Sequence, residues 1–192
     1  MTSNLEIEVK ALLSLKEFNK FIRYFSKHKF TQYTQINYYI DNSNFLIRNH
    51  KLSLRIRKKL NKYELTLKKN HHKGRLEENE FINEKAFNEF INQHKFPQGI
   101  IKKELVKLGI DVEKLNIITS LSTTRMDIKY KGGLLSLDKN KYSNKIDYEI
   151  EFEYKDKRDA KKILKRLFNE LDITFIENKT SKVARAFSMI YK

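Results

Sequence analysis

The sequence has no cysteine, which excludes disulfides, thiolate metal sites and a cysteine nucleophile, so any metal must sit on oxygen or imidazole. One proline and five glycines leave no Pro- or Gly-rich linker, and no segment recurs at a fixed period. At 192 residues the chain reads as a single domain, 1–192, long enough to bury a real core. No run approaches the roughly 18 consecutive apolar residues of a membrane span, and the first residues lack a charged-then-apolar signal layout. The expectation is a cytoplasmic protein with no membrane partner. There is no GxxxxGK[ST] loop, so phosphate binding must come from side chains rather than from a backbone cradle.

Acidic residues are outnumbered, 24 to 40, giving a formal charge of +16. Such an excess points to an anionic partner such as a phosphate-rich small molecule, a nucleic acid or a membrane surface. Only nine of the 40 basic residues are Arg, however, and a Lys/Asn excess of this kind can arise from codon bias. The charge alone therefore indicates a partner only loosely.

Residues Leu5 to Ala11, LEIEVKA, alternate so that Glu6, Glu8 and Lys10 share one face of a strand and Leu5, Ile7 and Val9 the other. Ser14 with Glu17 three residues on is a capping-box signature. Leu15, Phe18, Ile22 and Phe25 then recur at helical spacing, predicting a helix from Ser14 to about His28, with Phe18, Phe21 and Phe25 as its core. Strands are expected at Thr34–Ile40, Leu52–Lys58 and Lys62–Lys69. The pattern changes near Phe81, where AFNEFI and IIKKELVKLG predict two short helices split at Pro97 and stopped at Gly109. This helical insertion, about 83–109, separates two sheet halves. From Ile117, SLSTTRMDIKY, a KGG turn, LLSLD and IDYEIEFEY predict three strands in hairpin succession. Lys157–Leu171 is expected to be a basic amphipathic helix with Ala160, Ile163, Leu164, Leu167 and Phe168 inward, and a shorter helix over about Thr180–Ile190 to follow.

Charges are sorted by sign on individual strands: Glu6 with Glu8, Arg55 with Arg57, and Glu149, Glu151 with Glu153. Residues two apart on a strand lie on one side, roughly 6 to 7 Å apart, so like charges repel unless counterions or opposite charges meet them. Carboxylates converging from several strands would suit a hard divalent cation such as Mg²⁺ or Mn²⁺. Rows of Lys and Arg beside them would hold a polyanion.

These residues fall in an order that resembles the CYTH superfamily, the triphosphate tunnel metalloenzymes. EIEVK at Glu6–Lys10 resembles its ExExK signature. YYID ending at Asp41, LSLRIRKK, LTLKK, GRLEENE, STTR, LLSLDK, DYEIEFEY and SKVAR follow in sequence over nearly the whole chain. That superfamily includes class IV adenylate cyclases, thiamine triphosphatases and inorganic triphosphatases. The resemblance implies an α+β fold, a closed eight-stranded antiparallel β-barrel or tunnel with flanking helices. It further implies that Lys10, Arg55, Arg57, Lys68, Arg125, Lys182 and Arg185 hold phosphate oxygens. Glu6, Glu8, Glu77, Asp138, Glu149 and Glu151 would ligate or orient Mg²⁺ or Mn²⁺, and Glu6, Glu8 and Lys10 would be catalytic.

The expected activity is metal-dependent hydrolysis of a triphosphate, with inorganic tripolyphosphate favoured by a lining of charges. The alternatives are a class IV-type adenylate cyclase, or a non-catalytic module binding polyphosphate, nucleotide or RNA. The paired glutamates disfavour the module, and with it a nucleic-acid partner; a homodimer stays open. Glu153 reads equally well as a continuation of the alternation. Lys69, Arg75, Glu80, Lys129 and Lys145 read as solvated charges, and His71–His72 as a polar turn. Asp127 shares a face with Arg125 as a candidate ion-pair partner.

Overall fold

The computed structural model describes residues 2–72 and 74–189. Among these the chain forms nine β-strands and six α-helices. The strands are β1 (Thr2–Glu6), β2 (Glu8–Leu13), β3 (Phe30–Asp41), β4 (Leu52–Lys59), β5 (Lys62–His71), β6 (Gly74–Ile82), β7 (Asn116–Tyr130), β8 (Gly133–Tyr142) and β9 (Lys145–Glu153). The helices are α1 (Leu15–Tyr24), α2 (Leu46–Asn49), α3 (Glu84–Gln93), α4 (Ile100–Lys107), α5 (Lys157–Glu170) and α6 (Lys182–Phe187). The strand order is β1-β6-β5-β4-β3-β7-β8-β9-β2.

The class is α+β, as expected, and the order is that of an antiparallel barrel with one seam. Nine strands replace the expected eight because LEIEVKA is not one strand. Its pairing changes partner at Ile7: Glu6 and the residues before it lie against β6, whereas Glu8 onward lies against β9. Alternation of side chains survives this exchange, so nothing in the residue pattern marks it.

The chain divides into two compact units, one made of residues up to Glu6 with Gln35–Leu121, the other of Ile7–Thr34 with Ser122 onward. In the first unit, Leu54, Ile56, Leu65 and Leu67 turn one face of β4 and β5 onto Phe87 and Phe90 of α3 and Ile101 and Leu105 of α4. The predicted insertion is thus the cover of this sheet, and Asn83 caps α3 by accepting from Ala86 N–H. Glu80 is structural rather than merely solvated: its carboxylate accepts from the first amides of α4, Ile100 at 2.9 Å and Ile101 at 3.3 Å. A Cβ at Gly99 would collide with that carboxylate. Buried Asp41 does the same for α2, accepting from Ile47 and Arg48 N–H.

In the second unit, Val9, Ala11, Leu135, Leu137, Ile150 and Phe152 form one core cluster with Phe21 and Phe25 and with Leu164, Leu167 and Phe168 of α5. The Phe21 and Phe168 rings lie 5.0 Å apart. Both halves of the capping box exist, Ser14 Oγ accepting from Glu17 N–H and Glu17 from Ser14 N–H. The helix is shorter than expected, giving way to a 3₁₀ turn at Phe25–Lys27. The KGG turn joins β7 to β8 with Lys131 and Gly132 at φ 47° and 80°, the positive pair a tight hairpin requires. Gly133 then admits no side chain, since a Cβ would lie 2.6 Å from the Glu153 carbonyl. The last helix covers only Lys182–Phe187, and Ile190, where it was expected to end, lies outside the described residues.

Candidate functional site

Opposite each apolar face is a face of registered polar residues. In the second unit the antiparallel register puts Arg125 beside Asp138, Asp138 beside Glu149, Ser136 beside Glu151 and Glu151 beside Lys10. Asp138 and Glu149 have no solvent exposure at all, and the Glu151 side chain only 13%. One oxygen from each of Asp138, Glu149 and Glu151 lies within 4.8 Å of the others. Burying three carboxylates together is affordable only if cations are close, and four basic side chains supply them.

Arg125 grips Asp138 with both prongs of its guanidinium, Nε to Oδ1 at 2.7 Å and Nη2 to Oδ2 at 2.6 Å, and Nη2 also reaches Glu151 at 2.5 Å. Lys182 Nζ lies 2.7 Å from Asp138, 3.0 Å from Glu149 and 2.5 Å from Glu151. Arg185 donates from Nη1 and Nη2 to Glu149, both at 3.1 Å, and from Nε to Asp147 at 2.9 Å. Lys10 pairs with Glu8 at 2.6 Å. Lys182 and Arg185, three apart on α6, reach β8 and β9 because Asn178 anchors the preceding segment. Its backbone N–H donates to the Lys10 carbonyl at 2.7 Å and its amide to Glu149 at 2.9 Å.

Burial opposes the charges of Lys10, Arg125, Glu151, Lys182 and Arg185, yet the ion pairs outweigh it. Glu151 ionises well below the ordinary 4.5 despite burial because Lys182, Arg125 and Lys10 surround it. Burial would lower the Lys182 pKa, but Asp138, Glu151 and Glu149 hold it above 10.5, and Lys10 is likewise raised by Glu8 and Glu151. The sign of the linkage follows. Glu151, depressed in the native state, contributes stability that is complete above its unfolded value and lost as pH falls through the native one. Lys182 and Lys10, raised, contribute stability complete below about 10.5 and lost as pH rises further. In EDTA, the thermal midpoint followed by circular dichroism should therefore be flat from about pH 6 to 9 and fall on both sides. Glu151→Gln should flatten the acid side.

In the first unit the polar face holds Glu6, Arg55, Arg57, Lys68 and Glu77. Lys68 bridges Glu6, at 2.8 Å, and its register partner Glu77. Burial pushes the Glu77 pKa up, but Lys68 and Arg55 bring it below the usual value. Arg57 donates to Asn37 at 3.2 Å and lies 3.8 Å from Glu64. Arg55 Nε is buried with no hydrogen-bond acceptor among the described residues, an orphaned donor of the sort that costs stability unless a ligand oxygen meets it.

The expected site residues thus all fall into two groups, one per unit: Glu6, Arg55, Arg57, Lys68 and Glu77, and Glu8, Lys10, Arg125, Asp138, Glu149, Glu151, Lys182 and Arg185. The charge of Asp127 helps to hold Arg125 protonated, but its hydrogen bonds go elsewhere. Its carboxylate accepts from Tyr33 at 2.7 Å and Ser136 at 2.6 Å, leaving Arg125 to Asp138. Lys69 is tied to Glu78 and Glu104 on the outer face rather than solvated. Asp147 and Asn178 were missed. Asp147 continues the alternation of Glu149 and Glu151 and could have been found from it, whereas Asn178 comes from a segment without regular structure and leaves no periodic signal. The donor set of the acidic cluster, carboxylate oxygen throughout, fits a hard divalent cation.

The model of the CYTH domain family matches residues 4–187. The chain is 33% identical over 189 residues to a Bacillus subtilis (strain 168) protein named "Putative triphosphatase YjbK", covering 97% of this chain and 96% of that one. A Bacillus halodurans structure described as a "putative adenylate cyclase" superposes with a TM-score of 0.88 at 31% identity, over 97% of this chain and all of that one. A Hippeastrum protein, described as a "putative adenylyl cyclase" that reveals a dominant triphosphatase activity, shares the fold at a TM-score of 0.84 and 23% identity, over 96% of each chain. The chain belongs to the CYTH domain family. Among the described residues no helix is long and apolar enough to cross a membrane.

Proposed function

We propose that the chain is a divalent-metal-dependent triphosphatase acting on inorganic tripolyphosphate. The observation that carries this reading is the buried cluster of Asp138, Glu149 and Glu151, three carboxylates whose oxygens lie within 4.8 Å, bordered by guanidinium and ammonium groups. Its 33% identity to a protein named "Putative triphosphatase" supports the same activity.

In this reading Asp138, Glu149 and Glu151 hold Mg²⁺ or Mn²⁺, with Glu6, Glu8 and Glu77 as further ligands or orienting groups. A bound divalent ion supplies neutralisation of phosphate oxygens and a water of lowered pKa. Arg55, Arg57, Arg125 and Arg185 present planar forks to phosphate oxygens, and Lys10, Lys68 and Lys182 present point charges. Those same groups stabilise charge on the transferred phosphoryl as its bond to the leaving oxygen lengthens. Glu6, Glu8 and Lys10 are the catalytic set. No covalent nucleophile is needed, and the residues assigned here are all charged, which suits a substrate made of phosphate alone.

The test is phosphate release from tripolyphosphate, ATP and pyrophosphate with Mg²⁺, Mn²⁺ or EDTA. Metal-dependent release from tripolyphosphate, absent in EDTA, is expected. The Bacillus halodurans relative motivates a second reading, and cyclic AMP with pyrophosphate formed from ATP would favour it. Tight anion binding in EDTA with no turnover would make the chain a binding module.

A further inference from the structure

The Lys182 ammonium has a carboxylate for each of its three N–H donors, at 2.7, 3.0 and 2.5 Å from Asp138, Glu149 and Glu151. These are the same three residues whose oxygens form the acidic cluster. A Mg²⁺-sized ion takes its oxygens at about 2.0–2.1 Å, so the carboxylates must draw inward from the spacing that suits an ammonium. Two positive centres inside one set of three oxygens would also repel strongly where burial limits screening. The two cations are therefore alternative occupants.

We propose that Lys182 is a built-in competitor for the divalent ion: the ion enters by displacing the ammonium, and the displaced Lys182 is then released to an anion. This inference rests on the reading of the cluster as a metal site. Lys182 is the group that can yield. Arg125 is fixed within β7 and holds Asp138 with both prongs. Lys182 has a flexible four-carbon stem on α6, and α6 keeps a separate attachment through Arg185 to Asp147 and Glu149. The ammonium can thus swing away while the helix stays docked. By linkage, an anion that captures the freed ammonium raises metal affinity, and metal raises anion affinity by the same factor.

The experiment is Mn²⁺ binding without any triphosphate, by titration calorimetry and by the spin-resonance signal of free Mn²⁺, on the wild type, Lys182→Met, Lys182→Gln and Glu151→Gln. Both Lys182 variants should bind Mn²⁺ about tenfold tighter or more, within the usual range of coupling between sites, and Glu151→Gln should lose binding. Equal or weaker binding by the Lys182 variants, with Glu151→Gln still losing it, overturns the competition and leaves the metal site standing. Binding by Glu151→Gln equal to wild type, or by neither wild type nor the Lys182 variants, removes the metal site and the competition together. A readout needing no variant is amine labelling of the wild type followed by peptide mass spectrometry. Lys182 should be protected in EDTA and label faster with Mn²⁺; unchanged labelling at saturating Mn²⁺ overturns the displacement.

Discussion

Glu151→Gln is expected to lower metal-dependent triphosphate turnover about a thousandfold, roughly 4 kcal/mol of transition-state stabilisation. Glu151 meets both Arg125 and Lys182, as Asp138 does, and it is also the register partner of Lys10. The change to an amide keeps the shape of the side chain but removes a candidate metal ligand, and it leaves two buried cations with one acceptor fewer. Steady-state phosphate release with Mg²⁺ or Mn²⁺, on protein shown to be folded by circular dichroism, checks it. Glu153, two residues further along β9 and exposed, provides the contrast: Glu153→Gln should retain activity within about threefold, as an exposed substitution away from the cluster does. Wild-type turnover in Glu151→Gln would sink the assignment of the cluster.

Arg185→Ala should be the most destabilising single change in the second unit, costing about 3–5 kcal/mol, because it breaks a buried ion pair from one side only. Glu149 is wholly buried and takes two bonds from this guanidinium, while Asp147 takes a third, and Arg185 also donates to the Thr180 carbonyl at 3.1 Å. A loss of this size lowers the thermal midpoint by on the order of 10 °C in a chain of this length. Arg185→Lys should recover less than half of the loss, since an ammonium cannot span Asp147, both Glu149 oxygens and the carbonyl at once. A midpoint unchanged in Arg185→Ala would show that α6 is held by its apolar contacts instead.

What could be read from the sequence, and what could not, follows from which interactions are local. The capping box at Ser14 and Glu17, the helix break at Pro97 and the hairpin over Lys131 and Gly132 each depend on neighbours in the chain, and each is where the pattern put it. The strand β6 was not singled out, because GRLEENEFI has little apolar alternation. Its strand character comes from nine registered partners on β5, which no local window contains. The break at Ile7 is invisible for a related reason: alternation is a property of one strand, and partner exchange is a property of two. In the site, the sorting of Glu149 with Glu151 and of Arg55 with Arg57 was legible because residues two apart must share a face. Which cation meets which acid was not, as Asp127 shows by bonding to Tyr33 and Ser136 rather than to Arg125. The ammonium of Lys182 at the centre of three carboxylates depends on Asn178 anchoring a segment that has no periodicity to read.

The division of the chain into units also sets an order of events during synthesis. Residues 35–121 of the first unit are contiguous but for the β1 segment, so its helices α3 and α4 can close over β4 and β5 as soon as that stretch has emerged. The second unit is interrupted: Ile7–Thr34 is made early, yet β2 finds its partner only at Tyr148–Glu153. Until then Val9, Ala11, Phe21 and Phe25, all buried in the finished core, lack part of their packing, because Ile150 and Phe152 of β9 and Leu164, Leu167 and Phe168 of α5 belong to the same cluster. A nascent chain paused between these points should expose an unpaired strand edge and an apolar helix face, the state in which chaperone capture or self-association competes with completion.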